Sequence, residues 1–407
     1  MEEIKGGVTA AKGFKAASCE ANIKYKDRKD MAMVCSETPC VCAGTFTTNV
    51  VKAACVKWDQ NIVLSNKPMQ AVVINSGIAN AATGKQGYEA CEKTAKAVEE
   101  ALQVPFDTVA VASTGVIGAQ LPVDKLVNGV NQMSQNLDAD ITAGTEASKA
   151  IMTTDTVNKE IAVTFDIDGT TVTLGGMSKG SGMIHPNMCT MLAFLTTDLS
   201  IEKALLQEAV SDVVSDTFNM ITVDGDTSTN DTLLLMANGM ANNATIAEKG
   251  EAYKVFKEAL LFVCTSLAKR MAADGEGASK LFEAKVVNAK SKEDAKTLSR
   301  AIVGSNLSKA AIFGCDANFG RFLCAMGYSG AQFKEEDVEL FFQSENGTLQ
   351  VFDKGTPIEF DEEKALSIMK ADTVTVFVDM HEGDASATAW GCDLTHEYVS
   401  INADYRS

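Results

Sequence analysis

Apolar residues recur at three- and four-residue intervals in several stretches of the chain, a spacing that places them on one face of a helix. In one stretch, Tyr88, Cys91, Ala95, Val98 and Leu102 form such a face, while charged residues occupy the opposite one. This pattern predicts a surface helix that packs against the core on one side. The same spacing predicts helices over 88–102, 206–217 and 253–267.

Strand patterns lie between and after these helices. Two of them, 161–167 and 170–174, flank Asp168-Gly169, a pair that suits a two-residue hairpin because both turn positions need positive φ. The mixture favours an α+β fold, a layered sandwich of mixed or antiparallel sheets with helices, over a doubly wound parallel sheet. Further strands are predicted at 71–74, 108–112, 374–379 and 386–390.

The segment 179–195 changes character in its middle. A loop rich in Gly and Pro runs into the five apolar residues 191–195, which are typical of a buried strand. Thr190 stands at the junction, where a side chain can face a pocket. From pattern alone, a Thr at a strand start reflects β-propensity more often than chemistry, so this segment first predicts a buried strand.

Composition restricts the class of protein. The chain has 407 residues, 46% of them hydrophobic and 22% charged, which is the balance of a globular protein with two or three domain-sized units. Its 36 Lys and Arg against 54 Asp and Glu give a net charge of −18, so we expect no nucleic-acid partner.

Three further features of the sequence concern its compartment. No apolar stretch approaches the roughly 18 residues of a membrane helix, so we expect no membrane association. The first seven residues lack the basic and then apolar order of a signal peptide, and we expect a cytoplasmic protein. The 11 Cys are an odd number without the spacing of a small disulfide scaffold, which favours reduced, mostly buried thiols.

A possible serine nucleophile motif is present, but the residues that follow it do not suit the helix that the motif requires. Residues 176–180 fit the G-x-S-x-G pattern, but Gly182 and Pro186 fall where the following helix should begin. The chain has only three His, His185, His381 and His396, which disfavours a Ser/His/Asp triad or a site with several His ligands.

Candidate metal motifs are also incomplete. The acidic loop 224–231 begins like a calcium loop, yet Thr229 occupies the position that requires Gly. A polar loop that bonds the backbone is the better interpretation. Cys35, Cys40 and Cys42 lack a paired C-x-x-C, so we predict no metal site.

Several blocks of the chain occur in the same order in a known family. The most specific is KGSGMIHPNMCTMLAFLTTD, from Lys179 to Asp198, which contains the Cys189-Thr190 bond. With these blocks the chain resembles, from end to end, the glutamate N-acetyltransferases, also called ornithine acetyltransferases, of the cyclic arginine pathway. The other matching blocks are 44–49, 75–81, 113–118, 153–156, 274–278, 316–321, 390–394 and 398–407.

The resemblance implies an enzyme that cuts its own chain before Thr190 and then uses this N-terminal threonine as nucleophile. The α fragment, 1–189, would carry the oxyanion loop and part of the substrate site, and the β fragment, 190–407, the nucleophile and a substrate-binding C-terminal tail. The family's assembly implies a heterotetramer of two α and two β fragments. Cys189 replaces the Ala common before the cut and Ile78 replaces a common Asn, but neither change removes a catalytic group.

The implied reaction moves the acetyl group of N2-acetylornithine to glutamate through acetyl-Thr190, giving ornithine and N-acetylglutamate. The new α-amino group of Thr190, with an ordinary pKa of about 8, would act as base. The Thr114 hydroxyl and the Gly115 N–H are the implied oxyanion donors. No metal or other cofactor is implied, and the resemblance leaves open whether acetyl-CoA is a second acetyl donor.

Family positions that hold the amino-acid part of the substrate are matched by Thr153, Lys179, Thr190, Glu276, Asn402 and Ser407. Lys179 suits a carboxylate and Glu276 an ammonium group. Two alternatives stay open. An autocleaving aminopeptidase or amidohydrolase of similar architecture would hydrolyse its acyl-enzyme, and a non-enzymatic acidic binding protein would not cleave itself.

Overall fold

The computed structural model describes residues 1–65, 67–185 and 191–403. The chain forms two compact units: the first unit comprises Met1–Gly180, Pro186–Asn219 and Thr227–Leu267, and the second unit comprises Ser181–His185, Met220–Asp226 and Ala268–Ser407. Each unit contains residues from both sides of the Cys189-Thr190 bond. The units and the expected fragments 1–189 and 190–407 therefore divide the chain differently, and the fragments stay a prediction.

Strands and helices are numbered here along the chain. The strands are β1 (Glu2–Ile4), β2 (Phe14–Cys19), β3 (Met31–Phe46), β4 (Met69–Asn75), β5 (Val109–Ser113), β6 (Lys159–Ile167), β7 (Thr170–Lys179), β8 (Leu192–Thr197), β9 (Thr232–Ala237), β10 (Leu281–Ala289), β11 (Glu339–Ser344), β12 (Gly347–Asp353), β13 (Thr356–Pro357), β14 (Thr373–Asp379) and β15 (Ala385–Cys392). The helices are α1 (Ala54–Leu64), α2 (Gly84–Leu102), α3 (Val123–Ser134), α4 (Ile141–Ala150), α5 (Lys203–Asp216), α6 (Glu251–Ala273), α7 (Lys292–Gly304), α8 (Asn306–Phe313), α9 (Phe319–Gly327), α10 (Glu362–Met369) and α11 (His396–Ala403).

A nine-stranded mixed sheet forms the framework of the first unit. Its order is β1-β6-β7-β8-β9-β3-β4-β5, and β2 also pairs with β3. The two halves of the long strand β3 pair with different strands: Met31–Cys35 pairs with β4, and Val41–Phe46 pairs with β9. Its pairing with β4 shifts register between Cys35 and Cys40, around Pro39, which has no N–H to donate to a neighbouring strand.

The parallel pair β8 and β9 lies in the core of the first unit. Every residue of both strands is buried, as expected of parallel strands that are covered on both faces. This confirms the buried strand that the apolar run 191–195 predicts. Truncation of a fully buried residue such as Leu195 to Ala would cost about 2–5 kcal/mol of stability.

The three helices predicted from apolar spacing are confirmed as α2, α5 and α6. On α6 the predicted apolar face is buried, with Tyr253 only 4% exposed and Phe256, Leu260, Val263 and Leu267 fully buried. Residues three and four positions apart share a helix face, which is why the spacing finds these positions. No helix in the described part of the chain is both long and apolar enough to cross a membrane.

The predicted hairpin is also confirmed, as the antiparallel pair β6 and β7. Its turn residues Asp168 and Gly169 have φ values of 51° and 84°, the positive values that a two-residue turn of this kind requires. At its far end, β7 brings Lys179 opposite Leu192, the first residue of β8.

The second unit has a sheet of six strands in the order β13-β12-β11-β14-β10-β15. The pair β10 and β14 is parallel, whereas β10 and β15 are antiparallel, and α7 packs against β10 and β15. Mixed sheets with packed helices in both units confirm the α+β class. The predicted strands at 71–74, 108–112, 374–379 and 386–390 correspond to β4, β5, β14 and β15.

Candidate active site

The loop that carries Thr114 and Gly115 begins where the parallel strands β4 and β5 end side by side. Asn75 of β4 pairs with Ser113 of β5. The Asn75 carbonyl accepts a hydrogen bond from the Thr114 N–H at 3.0 Å, and its side-chain oxygen accepts one from the Ser113 hydroxyl at 2.7 Å. These bonds fix the start of the loop and leave Thr114 half-buried.

Only glycine fits at position 115. Gly115 has a φ of +130°, and a Cβ there would lie 2.2 Å from the carbonyl carbon of Gly77. Within the described ranges the Gly115 N–H has no hydrogen-bond partner. An unpaired N–H next to a half-buried hydroxyl is an arrangement that can donate two hydrogen bonds to an oxyanion.

Lys179, at the end of β7, lies next to two loop hydroxyls. Its ammonium group donates hydrogen bonds to Thr153 Oγ1 at 2.8 Å and to Thr114 Oγ1 at 3.4 Å. The residue is only 7% exposed. A buried ammonium group with two adjacent hydroxyls can bind a carboxylate by charge-assisted hydrogen bonds.

Asp155 balances the charge of Lys179 from the other side. Its Oδ1 accepts hydrogen bonds from Lys159 Nζ and from the Gly180 N–H, both at 2.7 Å, and its Oδ2 lies 3.7 Å from Lys179 Nζ. Burial acts to raise the pKa of Asp155, but attraction to Lys179 and Lys159 and these hydrogen bonds outweigh burial and hold the pKa well below its ordinary value. Asp155 is therefore a carboxylate at neutral pH.

The strand after the expected cut starts beside this cluster. Leu192 pairs with Lys179 on one side and with Thr232 of β9 on the other. The carbonyl of Met191 accepts a hydrogen bond from the Thr232 N–H at 2.8 Å. Met191 is thereby bonded to the start of β9, and it directly follows Thr190 in the sequence.

In the second unit, Glu276 and Asn402 form a separate polar pair. Asn402, on α11, donates a hydrogen bond to Glu276 Oε2 at 2.8 Å, and the Glu276 N–H bonds the Ser181 carbonyl at 2.9 Å. Glu276 is 6% exposed, and a Cβ on Gly182 would lie 2.3 Å from its carboxyl group. The Glu276 carboxylate can occupy this position only because Gly182 has no side chain.

The segment 183–185, which precedes the expected cut, is bonded by side chains of the second unit. Asp224 accepts the Met183 N–H at 2.6 Å and the Ile184 N–H at 2.9 Å, which confirms the predicted backbone-bonding role of the acidic loop. His185 contacts Thr222 Oγ1 through Nδ1 at 3.0 Å and Arg300 through Nε2 at 3.3 Å. Because an arginine side chain only donates hydrogen bonds, His185 Nε2 accepts from Arg300 and Nδ1 carries the proton. Burial, and then the charge of Arg300, lowers the pKa of His185.

The structure places six of the candidate site residues named from the sequence. Thr114, Gly115, Thr153 and Lys179 lie in the first unit, where Lys179 contacts both threonines, and Glu276 contacts Asn402 in the second unit. Cys189, Thr190 and Ser407 lie outside the described residues. The catalytic and binding roles of all of these residues stay predictions.

Sequence reasoning missed the roles of Asp155 and Lys159. Asp155 belongs to a family block, but nothing in the sequence indicates that its carboxylate would be buried between two lysines. Lys159 begins a strand, where a lysine ordinarily reaches solvent, and here it is 0% exposed. A lysine four residues after an aspartate would have been the available signal, and it is common on protein surfaces.

Thiols and possible metal ligands lie elsewhere. Ten free cysteines occur in the described ranges and seven of them are buried, in agreement with the expectation of mostly buried thiols. Glu339, Asp379 and His381 bring one ligand atom each within 4.8 Å of one another. These side chains also make contacts that need no metal ion, because His381 Nε2 lies 3.2 Å from Glu339 Oε2 and the Asn288 amide donates to both oxygens of Asp379.

Comparison with known proteins covers the whole chain. Residues 15–407 match the ArgJ family. The chain is 48% identical over 409 residues to the arginine biosynthesis bifunctional protein ArgJ of Symbiobacterium thermophilum and 47% identical over 407 residues to that of Caldanaerobacter subterraneus, with 100% of each chain covered in both cases. The crystal structure of an ornithine acetyltransferase from Mycobacterium tuberculosis, in complex with ornithine, is 44% identical, with a TM-score of 0.42 over 45% of this chain and 95% of that chain.

These matches define an acyltransferase of arginine biosynthesis. The chain belongs to the ArgJ family. The resemblance read from the sequence blocks is thereby confirmed, and a non-enzymatic binding protein is excluded.

Proposed function

We propose that the chain is a glutamate N-acetyltransferase that moves the acetyl group of N2-acetylornithine to glutamate through an acetyl ester of Thr190. The observation that carries this proposal is the position of Lys179. Its ammonium group lies within 3.4 Å of the Thr114 and Thr153 hydroxyls, and its strand pairs with the strand that begins two residues after Thr190. This arrangement supports Lys179 as a carboxylate-binding group and Thr114 as an oxyanion donor for a nucleophile two residues before β8.

The enzyme first cuts its own chain. Thr190 Oγ attacks the Cys189 carbonyl, the peptide bond becomes an ester, and water hydrolyses the ester to leave fragments of 189 and 407 − 189 = 218 residues. The shift from peptide to ester frees the α-amino group of Thr190, and hydrolysis of the ester then frees its hydroxyl. A weak hydroxyl nucleophile and the base that it needs therefore arise in one event.

In the first half-reaction the Thr190 hydroxyl attacks the acetyl carbonyl of N2-acetylornithine. The α-amino group takes the hydroxyl proton and delivers it to the leaving nitrogen, so ornithine departs and acetyl-Thr190 remains. The carbonyl oxygen carries negative charge during the attack. The Thr114 hydroxyl and the unpaired Gly115 N–H donate to it, at a loop that the Asn75 hydrogen bonds already hold in place.

In the second half-reaction the amino group of glutamate attacks the acetyl carbonyl of acetyl-Thr190, so a C–N bond forms and the ester C–O bond breaks. The α-amino group of Thr190 passes the proton of the attacking amine to Thr190 Oγ, and N-acetylglutamate departs. The same oxyanion donors act again, because both steps pass through a tetrahedral intermediate. The ammonium group of Lys179 binds the substrate carboxylate, with Thr153 as a second donor. Glu276 and Asn402, with Ser407 at the C-terminus, hold the amino side of the substrate.

The α and β fragments stay associated as a heterotetramer of two copies of each, in the cytoplasm. The chemistry needs no metal ion and no cofactor, because every proton transfer is assigned to the Thr190 amine. Acetyl-CoA is a second acetyl donor that would form the same acetyl-Thr190.

Two measurements on purified protein test the proposal. Intact-mass analysis should find fragments of 189 and 218 residues in the wild type and a single uncut chain in Thr190→Ala. An assay with N2-acetylornithine and glutamate should yield ornithine and N-acetylglutamate in equal amounts. A wild type that is active as one uncut chain would overturn the mechanism.

Product analysis separates the proposal from an aminopeptidase or amidohydrolase. A hydrolase releases acetate from N2-acetylornithine whether or not glutamate is present. The transferase should release ornithine in quantity only with glutamate, and acetate should stay a minor product. A rate of acetate release equal to the rate of ornithine release in the presence of glutamate would favour the hydrolase.

A further inference from the structure

A cavity of about 390 Å³ lies in the first unit between the residues that follow β3 and the start of α2. Three lysines line it: Lys52 before α1, Lys57 in α1 and Lys85 in the first turn of α2. The protein carries a net charge of −18, so three cations around one cavity depart from its general charge pattern. The cavity is therefore a candidate site for an anion.

These three positive charges are poorly neutralised by the protein itself. Lys52 and Lys57 have no ion-pair partner within the described ranges. Lys85 lies 3.5 Å from Glu89, but its side chain is 91% exposed, and such surface pairs interact weakly. A ligand with several negative charges can interact with all three lysines at once.

The start of α2 adds hydrogen-bond donors to the same cavity. The N-cap residue Thr83 makes no side-chain bond to the first turn, because its hydroxyl donates to Asn80 instead. Gly84 follows with a φ of +61° and open space where a Cβ would be. The first N–H groups of α2 can therefore approach a ligand closely, and phosphate is the anion that suits lysines and helix N–H groups together.

Aromatic and apolar surface lies beside the cations. Tyr88 lines this cavity and also a second one of about 200 Å³, and its ring packs edge-on against Trp58 with centroids 5.5 Å apart. Val50 and Val51, which line the first cavity, are 95% and 54% exposed. A base attached to several phosphates, with an uncharged arm, matches this combination, since bases stack on aromatic rings.

The cavity lies close along the chain to the proposed oxyanion loop. Ala82 lines the cavity, and the carbonyl of its neighbour Ala81 accepts a hydrogen bond from the Gly118 N–H at 2.9 Å. Ile78, four residues before Ala82, forms a bridge with Thr114. Four residues span at most about 14 Å, a distance that a flexible pantetheine arm can cover.

We propose that this cavity binds the phosphorylated nucleotide of acetyl-CoA and so directs its acetyl thioester to the Thr114 and Gly115 loop. The inference rests on the proposed acetyl-Thr190 mechanism and adds a second entrance to it. The Thr190 hydroxyl attacks the thioester carbonyl, a C–O bond forms and the C–S bond breaks. The hydroxyl proton goes to the departing sulfur, so free coenzyme A and acetyl-Thr190 result.

Substitution of the lysines tests the site through three acetyl donors. The variants are Lys52→Gln, Lys57→Gln, Lys85→Gln and the triple variant, with Lys93→Gln, an exposed position of α2 outside the cavity, as the matched control. The KM for acetyl-CoA should rise about tenfold or more in the triple variant, because charge-assisted hydrogen bonds are lost. The KM values for N2-acetylornithine and for S-acetyl-N-acetylcysteamine, a thioester without phosphates, should stay unchanged. Equal effects on both thioesters, or no effect on acetyl-CoA, would overturn the proposal.

Equilibrium binding to the cleaved wild type supplies the second arm. Calorimetry with coenzyme A, 3′-dephospho-coenzyme A and inorganic pyrophosphate should give the tightest binding with coenzyme A, and the triple variant should lose it. If coenzyme A did not bind, the proposed coenzyme A site would be wrong, even if the enzyme still transferred acetyl from N2-acetylornithine to glutamate. The coenzyme A site and the acetyl-Thr190 mechanism can therefore fail separately. Binding of pyrophosphate without binding of coenzyme A would indicate an anion site unconnected with the acyl donor and would also overturn the assignment.

Discussion

The Nζ atom of Lys159 lies 2.7 Å from Oδ1 of Asp155, and both side chains are completely buried. Oδ2 of the same carboxylate accepts the Thr153 N–H at 3.1 Å and lies 3.7 Å from Lys179 Nζ. Asp155 thus joins the loop that carries Thr153 to the lysine that contacts it. A buried ion pair of this kind determines where Lys179 can direct its ammonium group.

Asp155→Asn should destabilise the protein most at neutral pH and least in acid. The variant replaces the carboxylate that pairs with the buried ammonium group of Lys159 by an uncharged amide, and breaking a buried ion pair in this way costs about 3–5 kcal/mol. The folded pKa of Asp155 lies below its ordinary 3.8, so its contribution is complete above pH 3.8 and is lost as the pH falls below that value.

Chemical denaturation of wild type and variant between pH 7 and pH 3 measures this difference. The gap in free energy of unfolding should be constant down to about pH 4 and then narrow. Glu251→Gln, which removes an exposed carboxylate 3.5 Å from Lys254, serves as the control and should have little effect at any pH. A gap that widened in acid would contradict the assignment.

Gly182→Ala should raise the KM for the amino-acid substrates more than it lowers kcat. The new methyl group would lie 2.3 Å from the Glu276 carboxyl group, so the carboxylate must move and its 2.8 Å bond from Asn402 must change. Gly182 has no positive φ, and the backbone itself accepts alanine. Gly327→Ala, with nothing within 4 Å of the added Cβ, is the matched control. Steady-state kinetics should show normal constants for the control, and a normal KM for Gly182→Ala would count against Glu276 as a binding group.

Local patterns predicted the elements whose structure depends on neighbouring residues. The hairpin at Asp168 and Gly169 and the apolar face of α6 follow from turn chemistry and from 3.6-residue periodicity. The long strand β3 was not predicted, because its apolar alternation is interrupted around Pro39 and its two halves pair with different strands. That division depends on where β4 and β9 lie, which no short window contains.

The site residues depended on the family resemblance rather than on pattern. Thr114 and Gly115 look like an ordinary turn in the sequence. Thr114 and Lys179 are 65 residues apart along the chain, and they come into contact only because β5 and β7 belong to the same sheet. Asp155 and Lys159 were missed because burial of a charged pair leaves no periodic signal.

Thr114→Ala and Glu276→Gln should have opposite kinetic signatures. Thr114 is proposed to donate to charge that develops only in the transition state, so its loss should lower kcat by about 100- to 1000-fold with little change in KM. Glu276 is proposed to hold the substrate before and during the reaction, so its replacement should chiefly raise KM. Kinetics on fully cleaved enzyme measure both. If Thr114→Ala changed only KM, the assignment of Thr114 as an oxyanion donor would be wrong.

The rate of acetyl transfer should rise with a titration near or below pH 8. A protonated Thr190 amine cannot act as base, and an ordinary α-amino group has a pKa of about 8. Burial, and then the charge of Arg300, lowers the pKa of His185. The pH profile of His185→Gln should therefore keep the same midpoint. A flat rate from pH 5 to 9 in the wild type would argue against the amine.

Asp224→Asn should slow self-cleavage about tenfold, because one of the two carboxylate oxygens that hold the segment before the cut is replaced by an NH2 group. Those oxygens accept the N–H groups of Met183 and Ile184, and Met183 has a φ of +56°, a strained value for a residue other than glycine. Loss of a hydrogen bond to a charged acceptor costs about 1.5–3 kcal/mol, and 1.36 kcal/mol of barrier corresponds to a factor of ten in rate.

The time course of fragment formation, followed by intact mass during expression and after purification, measures this effect. Asp226→Asn changes an exposed carboxylate two positions away and should cleave at the wild-type rate. Thermal unfolding of uncleaved Thr190→Ala with and without Asp224→Asn separates a loss of positioning from a loss of stability. If the two uncleaved proteins unfold at the same temperature and the cleavage rate still falls, Asp224 acts by placing the Cys189 carbonyl for attack. Equal cleavage rates in Asp224→Asn and Asp226→Asn would show that the bonds to Met183 and Ile184 have no part in the cut.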